Sequence, residues 1–327
     1  MELKQEVLKI LEESRGNSVN GAKLAERLFV TRSAIWKAVK ALQKDGYRIV
    51  AVTNKGYSLL SDNDIVSAES IQPHLKGEAV NFSLEVQQSV TSTNTLAKEQ
   101  AGQGAKAGTV IVAREQTQGR GRMGRTFYSP DSTGIYFSII LRPKLSIEDS
   151  LLITTATAVA VAKAIETVSK KAAVIKWVND IFVEGKKVCG ILTEASLNFE
   201  CGSLEYAVVG IGINIVTKAF PGEISLVAGS ILSEKPEDSS VTSRLVAEVL
   251  NNMAECMHSI TDKKYLEEYR NRSFLIGQEI LVLRGSKSLP AKAIDIDDKA
   301  RLVVEYPDQT KEALTSGEVS VRAVSRE

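Results

Sequence analysis

The sequence predicts an α+β protein in three parts: an N-terminal winged helix-turn-helix, a central mixed sheet with helices packed on it, and a small C-terminal β-barrel. Three observations predict this. Three short helical periods followed by two strand periods fill the first 60 residues. In the centre, apolar strand segments follow one another across hairpin-length turns, without the strand-helix-strand rhythm of a parallel sheet. From about Ser273 onward only strand periods occur. The length, 327 residues, leaves room for two or three domains at roughly 100 to 200 residues each. With 43% apolar and 25% charged residues, the chain has ordinary globular composition, which excludes collagenous, disordered and disulfide-scaffold classes.

The first helical stretch, Glu2 to Glu13, repeats Leu3, Val7, Leu8, Ile10 and Leu11 at helical spacing, and Gly16-Asn17 ends it. A second short helix carries Leu24, Ala25 and Leu28. The third follows the capping hydroxyls of Thr31-Arg32-Ser33, buries Ile35, Ala38, Val39 and Leu42, and stops at Asp45-Gly46. Tyr47 to Val52 and Tyr57 to Leu60 read as two strands joined by the turn Thr53-Asn54-Lys55-Gly56. This is a winged helix, with Arg32, Ser33, Trp36 and Lys37 off the apolar stripe of the third helix and Lys55 at the wing tip, as candidate DNA contacts. A wing used for protein contacts, or a plain solvated basic face, is the alternative.

Charge separates this segment from the rest. The whole chain has a formal net charge of +1, which on its own argues against nucleic acid. Residues 1 to 60, however, carry eleven bases against six acids, a net of +5, and the remainder carries −4. A basic module on a mildly acidic body fits a DNA reader attached to a unit that does other work.

Asp62-Asn63-Asp64 marks a polar boundary, which divides the chain into 1–62, 63–272 and 273–327. Central strands are expected at Phe82 to Gln87, Thr109 to Arg114, Ile135 to Leu141, Val174 to Trp177, Ile181 to Val183, Val188 to Ala195 and Tyr206 to Ile211. Helices are expected at Asn94 to Ala101, Ile147 to Lys170 and Val241 to Arg270, the last with a break near Thr261-Asp262. The terminal part offers Glu279 to Leu283, Pro290 to Ile296, Arg301 to Tyr306 and Ser320 to Val324 as strands.

Cys189, Cys201 and Cys256 are an odd set without CxxC spacing, which reads as reduced cytosolic thiols. His74 and His258 stand apart from them, which argues against a zinc site. The longest apolar run, Ser150 to Ala162, falls short of the about 18 residues that span a bilayer. No membrane segment is expected, and a cytoplasmic location follows.

The densest chemical signal is Glu115 to Arg125, EQTQGRGRMGR, with a literal GxGxxG from Gly119 to Gly124. Taken alone that match is weak, because a dinucleotide fingerprint needs its glycines to open a helix and here Thr126-Phe127-Tyr128-Ser129-Pro130 follows. Neither HRD nor DFG occurs, so a kinase loop is excluded, and a Walker GK[ST] is absent. What remains is a glycine loop between strands with Arg120, Arg122 and Arg125. Glycines let backbone approach a ligand and arginines grip carboxylate or phosphate, so an anionic ligand explains the loop better than a solvated basic hairpin.

Lys176-Trp177-Val178-Asn179-Asp180 and Lys186-Lys187-Val188-Cys189-Gly190-Ile191-Leu192 form a second cluster. A plain hairpin accounts equally well for Asn179 and Lys186, whereas Lys187 at the edge of an apolar strand calls for a partner. Small residues interrupt the apolar strand Val208-Val209-Gly210-Ile211-Gly212-Ile213-Asn214, which permits close approach of a ligand or another backbone. Ser92-Thr93-Asn94 precedes a helix, and by itself reads as an N-cap.

In this order, Ser-Thr-Asn, GRGRxGR, KWxND, KxxGIL and GIGIN resemble the motifs of the biotin protein ligases, and the winged helix in front resembles the bifunctional subgroup that also represses the biotin operon. The resemblance covers essentially the whole chain. Val178 departs from the family's usual proline without removing a functional group. The resemblance implies a class II synthetase-like central catalytic domain and an SH3-like C-terminal barrel. It also implies a two-step reaction: biotin and ATP give biotinyl-5′-AMP and pyrophosphate, with Mg²⁺, and a lysine of the biotin carboxyl carrier protein of acetyl-CoA carboxylase, or of other biotin-dependent carboxylases, takes the biotinyl group.

By the same resemblance, Ser92, Thr93, Asn94, Gln116, Gly119, Arg120, Arg122, Lys187, Gly190 and Leu192 bind biotin. Arg120, Arg122, Arg125, Phe127, Asn179, Lys187 and Asn214 bind ATP or the adenylate, with Phe127 stacked on adenine. Lys187, Arg122 and Asp180 are the catalytic set, Asp180 orienting or deprotonating the acceptor amine, and no metal ligand is assigned. The adenylate-bound homodimer is expected on operator DNA. A lipoate or octanoate ligase of the same catalytic fold, and a non-catalytic transcription factor that senses a small anion, remain as alternatives.

Overall fold

The computed structural model describes residues 2–52, 55–198, 202–236, 238–284, 287–315 and 318–321. Thr53 and Asn54 of the expected wing turn, Cys201, and residues 322–324 of the last expected strand lie outside the described residues.

The N-terminal unit contains α1 (Leu3–Glu13), β1 (Ser18–Val19), α2 (Gly21–Arg27), α3 (Arg32–Lys44), β2 (Ile49–Val52) and β3 (Gly56–Leu59). The apolar stripes expected from the sequence close on one another: Val7, Leu8 and Leu11, Leu24, Ile35, Val39 and Leu42, and Ile49 and Leu59 form a separate core. Side-chain caps set the helix starts, with Asn20 accepting from the N–H groups of Ala22 and Lys23, and Thr31 from that of Ala34. The hairpin is in fact the larger part of a three-stranded antiparallel sheet of order β1-β3-β2. Two residues are too few to give β1 a readable period.

The Asp62-Asn63-Asp64 boundary is a joint rather than a bare spacer. Asn63 is 1% exposed; its Oδ1 accepts from the N–H of Arg48 at 3.0 Å and its carbonyl from Arg15 at 2.7 Å. Arg15 donates twice to Glu12 Oε2 and reaches Ser239 Oγ at 3.4 Å, while Asp64 pairs with Lys235 at 2.6 Å.

The central unit runs through α4 (Ala68–Ile71), β4 (Ser83–Val90), α5 (Thr93–Gly102), β5 (Thr109–Gln116), β6 (Gly134–Leu141), α6 (Ser150–Ser169), β7 (Val174–Lys176), β8 (Asp180–Val183), β9 (Lys186–Asn198), β10 (Ser203–Asn214), α7 (Val241–His258) and α8 (Tyr265–Arg272). The strands form one mixed sheet of order β4-β5-β6-β10-β9-β8-β7, with only β4 and β5 parallel. Strand periodicity located all seven, while α4 is too short to show a period of its own. One face of the sheet packs on α6, α7 and α8; α5 covers the other through Ala97 and Ala101 against Ile111, Ile140 and Val208.

α6 continues past the apolar run read from the sequence to Ser169, so it is long and apolar enough to cross a bilayer. Its length from Leu152 to Ile165 is instead almost wholly buried in the protein core. Two of the threonines that interrupt the run are satisfied within the helix, Thr155 at the Leu151 and Leu152 carbonyls and Thr157 at that of Ile153, while Thr154 donates to Thr193 on β9 at 2.8 Å.

The C-terminal unit is an antiparallel sheet of β11 (Glu279–Arg284), β12 (Lys287–Ile296), β13 (Leu302–Glu305), β14 (Lys311–Leu314) and β15 (Glu318–Val321), in the order β14-β13-β12-β11-β15. The sequence offered four of these strands. β14, Lys-Glu-Ala-Leu, lacks β-branched residues and is fixed only by pairing with β13. Ile280, Val282, Ala293, Leu302 and Val304 belong to the same continuous core as α6 and α7. The Trp177 indole donates to the Ala300 carbonyl at 3.0 Å, and Arg270 to that of Ile296 at 2.6 Å, so this sheet is fastened to the central one.

Candidate active site

Sheet register builds the floor of the site. Successive side chains of a strand point to opposite faces, so on β10 Val208, Gly210 and Gly212 face α5 while Val209, Ile211 and Ile213 enter the helical core. Opposite Gly210 stand Ser138 on β6 and Leu192 on β9; opposite Gly212 stand Tyr136 and Gly190; opposite Val208 stands Glu194. The glycines lie where two side chains press onto the sheet. A Cβ on Gly210 would meet Asn94 Oδ1 at 2.0 Å, and one on Gly212 would meet the Phe127 ring at 2.5 Å.

Ser92, Thr93 and Asn94 lie at the N-terminus of α5 and are 2–3% exposed. Asn94 is fully engaged by the protein: its Nδ2 donates to the Leu192 carbonyl at 3.2 Å and to Glu194 Oε2 at 2.9 Å, and its Oδ1 lies 2.6 Å from Ser138 Oγ. An amide oxygen only accepts, so the single Ser138 proton goes to Asn94. The Thr93 N–H donates to Gln116 Oε1 at 2.9 Å, and Gln116 Nε2 donates to Ser129 Oγ at 3.0 Å. That leaves the second N–H of Gln116 and the Ser92 hydroxyl, which has no side-chain hydrogen bond in capping α5, as polar groups for a ligand.

The glycine stretch folds as a hairpin over this floor. Residues Arg120 and Thr126 bridge, the Gly121 N–H donates to the Arg125 carbonyl at 2.7 Å, and the Phe127 N–H to that of Gly119 at 2.9 Å. A single 3-10 turn, Arg122–Gly124, forms its tip, so these glycines open no α-helix. Arg120, Arg122 and Arg125 all line the cavity. Arg120 lies 3.7 Å from Glu194, and Arg122 donates to Asn179 Oδ1 at 3.2 Å. Gly119, expected at the ligand, does not line the cavity. A Cβ there would lie 2.3 Å from the Phe127 carbonyl and 2.5 Å from Ser129 Oγ, so this position serves close backbone packing.

Facing the arginines, the β8–β9 hairpin presents Lys187, whose ammonium lies 2.7 Å from Asp180 Oδ1. Asn179 is tied to β9 through its side chain, which donates to the Ile191 carbonyl at 2.8 Å. The Trp177–Val178 peptide is cis, and the Val178 carbonyl accepts from the buried Tyr269 hydroxyl at 3.0 Å. The main chain of Lys187 is gripped by the segment after β10: its N–H donates to the Val227 carbonyl at 2.8 Å and its carbonyl accepts from Gly229 at 2.9 Å.

These elements enclose a cavity of about 430 Å³. It gathers Ser92, Thr93, Asn94, Gln116, Arg120, Arg122, Arg125, Phe127, Asn179, Asp180, Lys187, Gly190, Leu192 and Asn214, every expected ligand residue except Gly119. Asn214 Nδ2 donates to the Gly229 carbonyl at 3.0 Å, while its buried Oδ1 has no partner among the described residues. Phe127 lies over Gly190 and Gly212 and meets Tyr136 edge to face. Asp180 is the single carboxylate of the lining, and no cluster of three metal-binding side chains occurs among the described residues.

Sequence reasoning missed Ser138, Ser129 and Glu194, although a lone serine in Gly-Ile-Tyr-Phe-Ser-Ile-Ile-Leu and an acid two residues after the GIL were visible signals. It also missed the apolar rim, Phe220, Ile224 and Val227, and Leu283 from β11, for which no local pattern exists. Burial pushes the Glu194 carboxyl up, but hydrogen bonds from Lys98 and Asn94 and the charges of Lys98 and Arg120 outweigh it and hold it below the usual carboxylate range.

On the N-terminal unit, Arg32, Ser33, Trp36, Lys37 and Lys55 are exposed, as expected for a nucleic-acid face, and do not approach the cavity lining. Lys40 lies 6.0 Å from the Trp36 ring.

Three stretches of the chain match known families. Residues 86–214 match the model of the biotin/lipoate A/B protein ligase family, residues 4–58 an HTH domain and residues 275–322 the biotin protein ligase C-terminal domain. The chain is 32% identical over 315 residues to the bifunctional ligase/repressor BirA of Bacillus spizizenii, covering 94% of this chain and 96% of that protein. It is 25% identical over 315 residues to its Escherichia coli namesake, with 96% of each covered. Among solved structures, biotin protein ligase from Aquifex aeolicus in complex with biotin and ATP is similar at 27% identity and a TM-score of 0.62, covering 73% of this chain and 98% of that one.

Proposed function

Because the chain belongs to the biotin protein ligases of the bifunctional ligase/repressor type, we propose that its cavity joins biotin to ATP, that it then biotinylates a lysine of a carboxylase carrier domain, and that its adenylate-bound dimer represses through the winged helix. The division of labour follows 1–62 for DNA, 63–272 for catalysis and 273–327 for support of the site, all in the cytoplasm.

The observation that carries the catalytic reading is the meeting of Lys187 and the three hairpin arginines in one cavity that Ser92 and Gln116 also line. A carboxylate, ordinarily ionised above about pH 4 to 5, needs no general base to attack phosphorus. It needs its own charge and that of the phosphates offset and the two aligned. In the first step a carboxylate oxygen of biotin bonds to the α-phosphorus and the bond to pyrophosphate breaks. Lys187 and Arg122 offset charge at the reacting atoms, Arg120 and Arg125 hold the carboxylate and phosphates, and Ser92 and Gln116 meet the ureido ring. Thr93, Asn94, Gly190 and Leu192 shape that pocket. Phe127 supplies an apolar wall for the flat rings, the orphaned Asn214 Oδ1 suits an amino hydrogen of adenine, and Asn179 steadies Arg122.

Magnesium, when bound, screens the nucleotide's phosphates. With Asp180 as the one lining carboxylate, the donor set suits an ion carried mainly by those phosphates, as Mg²⁺ commonly is.

In the second step an acceptor lysine nitrogen attacks the biotinyl carbonyl carbon, AMP leaves, and the amine loses a proton. Free lysine has a pKa of about 10.4, and Asp180, beside Lys187, is the group to orient and relieve the amine. On the N-terminal unit, Arg32, Ser33, Trp36, Lys37 and Lys55 meet DNA. Adenylate and operator then favour each other reciprocally, typically by about 1 to 3 kcal/mol, and the Arg15–Asn63–Ser239 joint is a stiff connection between the two ends.

Incubation with biotin, Mg-ATP and a biotin-accepting carrier domain tests the reading: the carrier gains the mass of one biotinyl group. Pyrophosphate release with lipoate or octanoate but not biotin overturns it, and equal operator affinity with and without biotin plus ATP overturns the regulatory part.

A further inference from the structure

We propose that Glu194 is a positioning residue for the biotin end of the cavity, holding the Asn94 amide and the Arg120 guanidinium in place. The inference rests on the biotin-ligase reading of the cavity. Glu194 lies on β9, two residues past Leu192, on the face that carries α5, and is paired across the sheet with Val208. It is not itself part of the cavity lining.

Its two oxygens divide their work. Oε2 accepts from Asn94 Nδ2 at 2.9 Å, and Oε1 accepts from Lys98 at 2.7 Å and lies 3.7 Å from Arg120. Lys98 is one turn along α5 from Asn94, so the carboxylate ties the start of that helix to the sheet at two points. Asn94 has no room to compensate for a lost partner, because Gly210 lies directly beneath its Oδ1 and Ser138 occupies that oxygen from the side. Ser138 Oγ is also 2.7 Å from Thr93 Oγ1 and, its own proton spent on Asn94, accepts that of Thr93, whose main-chain N–H in turn holds Gln116 Oε1 at 2.9 Å. Glu194 thus sits at one end of a chain of contacts, Glu194–Asn94–Ser138–Thr93, whose last residue holds Gln116 through its main chain. With Asn94 reversed, Ser138 would face an N–H where it now meets an acceptor, and the chain would lose its direction.

The contact with Arg120 gives Glu194 a second hold on the cavity lining. Arg120 is half exposed on the hairpin, and a carboxylate at this distance biases it toward the biotin end.

The test measures steady-state KM for biotin and for ATP, kcat and thermal midpoint for the full chain and for Glu194→Ala and Glu194→Gln, with pyrophosphate release as the assay. Losing a hydrogen bond to a charged group is worth about tenfold or more. Glu194→Ala is expected to raise the KM for biotin about tenfold, with the KM for ATP, which Glu194 reaches only through its 3.7 Å contact with Arg120, raised less than about threefold and kcat changed less than about twofold. Glu194→Gln keeps an acceptor for Asn94 and is expected to recover most of the loss. Unchanged KM for biotin in both variants overturns the inference, and so does a lowered midpoint with both KM values rising together, which marks a merely structural residue. Wild-type chain that releases no pyrophosphate with biotin overturns the ligase reading instead.

Discussion

The Lys187 ammonium lies 2.7 Å from the Asp180 carboxylate across the β8–β9 hairpin, while the Lys187 main chain is gripped at both its N–H and its carbonyl by Val227 and Gly229. One residue therefore joins the group proposed to offset charge, the group proposed to receive a proton, and the apolar segment that rims the cavity. The backbone of Lys187 belongs to the sheet, where Lys187 pairs with Phe182 and Lys186 with Val183, while Val188 is skipped at a shift of register before Cys189.

Lys187→Ala is expected to slow biotin-dependent pyrophosphate release by about 10² to 10³, the usual effect of deleting one preorganised charge-stabilising donor. Asp180→Asn is expected to retain adenylate formation and to slow transfer to the carrier lysine. Single-turnover assays of the two half-reactions separate these. Near-normal pyrophosphate release in the lysine variant, or unaltered transfer in the asparagine variant, contradicts the assigned roles.

The three glycines of the hairpin are not equivalent. An added Cβ at Gly119 meets the Phe127 carbonyl and Ser129 Oγ, whereas at Gly121 its nearest contact is 3.4 Å away and φ is −116°, open to any residue. Gly119→Ala is expected to cost about 1 to 3 kcal/mol and lower the thermal midpoint by several degrees. Gly121→Ala should stay within about 0.5 kcal/mol of the parent. Differential scanning calorimetry of both variants decides; equal effects refute the distinction.

Glu166 on α6 is gripped by Arg272 through two bonds of 2.8 and 2.9 Å and accepts from the Ala173 N–H. The hydrogen bonds from Arg272, outweighing burial, hold its carboxyl below its ordinary 4.5. A depressed carboxyl stabilises the fold above the unfolded-state value and loses that contribution as pH falls through the lower folded-state value. The midpoint difference between parent and Glu166→Gln should therefore be full above about pH 5 and shrink below pH 4.5. A difference that grows on acidification would be the wrong sign.

On the DNA side, Lys37 is exposed on α3 away from the buried Ile35/Val39/Leu42 stripe. Lys37→Ala is expected to weaken operator and non-operator DNA alike and to reduce the salt slope of binding by about 1, the signature of one lost phosphate contact. A slope that does not change removes Lys37 from the phosphate set.

Much of this architecture is legible in the chain because its elements are long and regular. The stripes of α1 and α3 and the seven apolar strands of the mixed sheet show their periods directly, and Gly-rich or Asn-Asp turns mark their ends. What escapes is decided by partners distant in sequence. β14 exists because β13 pairs with it; Asn63, a linker residue by composition, is buried because Arg15 and Arg48 converge on it. In the site, the motifs identify the cavity residues, but Gly119 was assigned to the ligand because glycine in a loop looks alike whether a ligand or a carbonyl lies above it. Asn94 looked like a ligand donor or a cap, and only the fold reveals that Leu192 and Glu194 already take both of its N–H groups.

Trp177 offers a test of how the C-terminal sheet serves the site. Its indole is 4% exposed and donates to the Ala300 carbonyl, in the turn between β12 and β13. The next residue, Val178, has its carbonyl held by Tyr269, and the chain then reaches Asn179 and Asp180. The Trp177 bond thus anchors a short segment whose far end carries Asn179 and Asp180. Trp177→Phe keeps an aromatic ring but leaves a buried carbonyl without its donor, at a cost of about 1 to 3 kcal/mol. Because that strain falls at the β7–β8 turn, the loss should appear in the KM for ATP and in kcat through Asn179 and Arg122, with the KM for biotin changed least, the Ser92–Gln116 end resting on other strands. A variant in which both KM values shift equally would mean that the terminal sheet supports the central one as a whole rather than this corner of it.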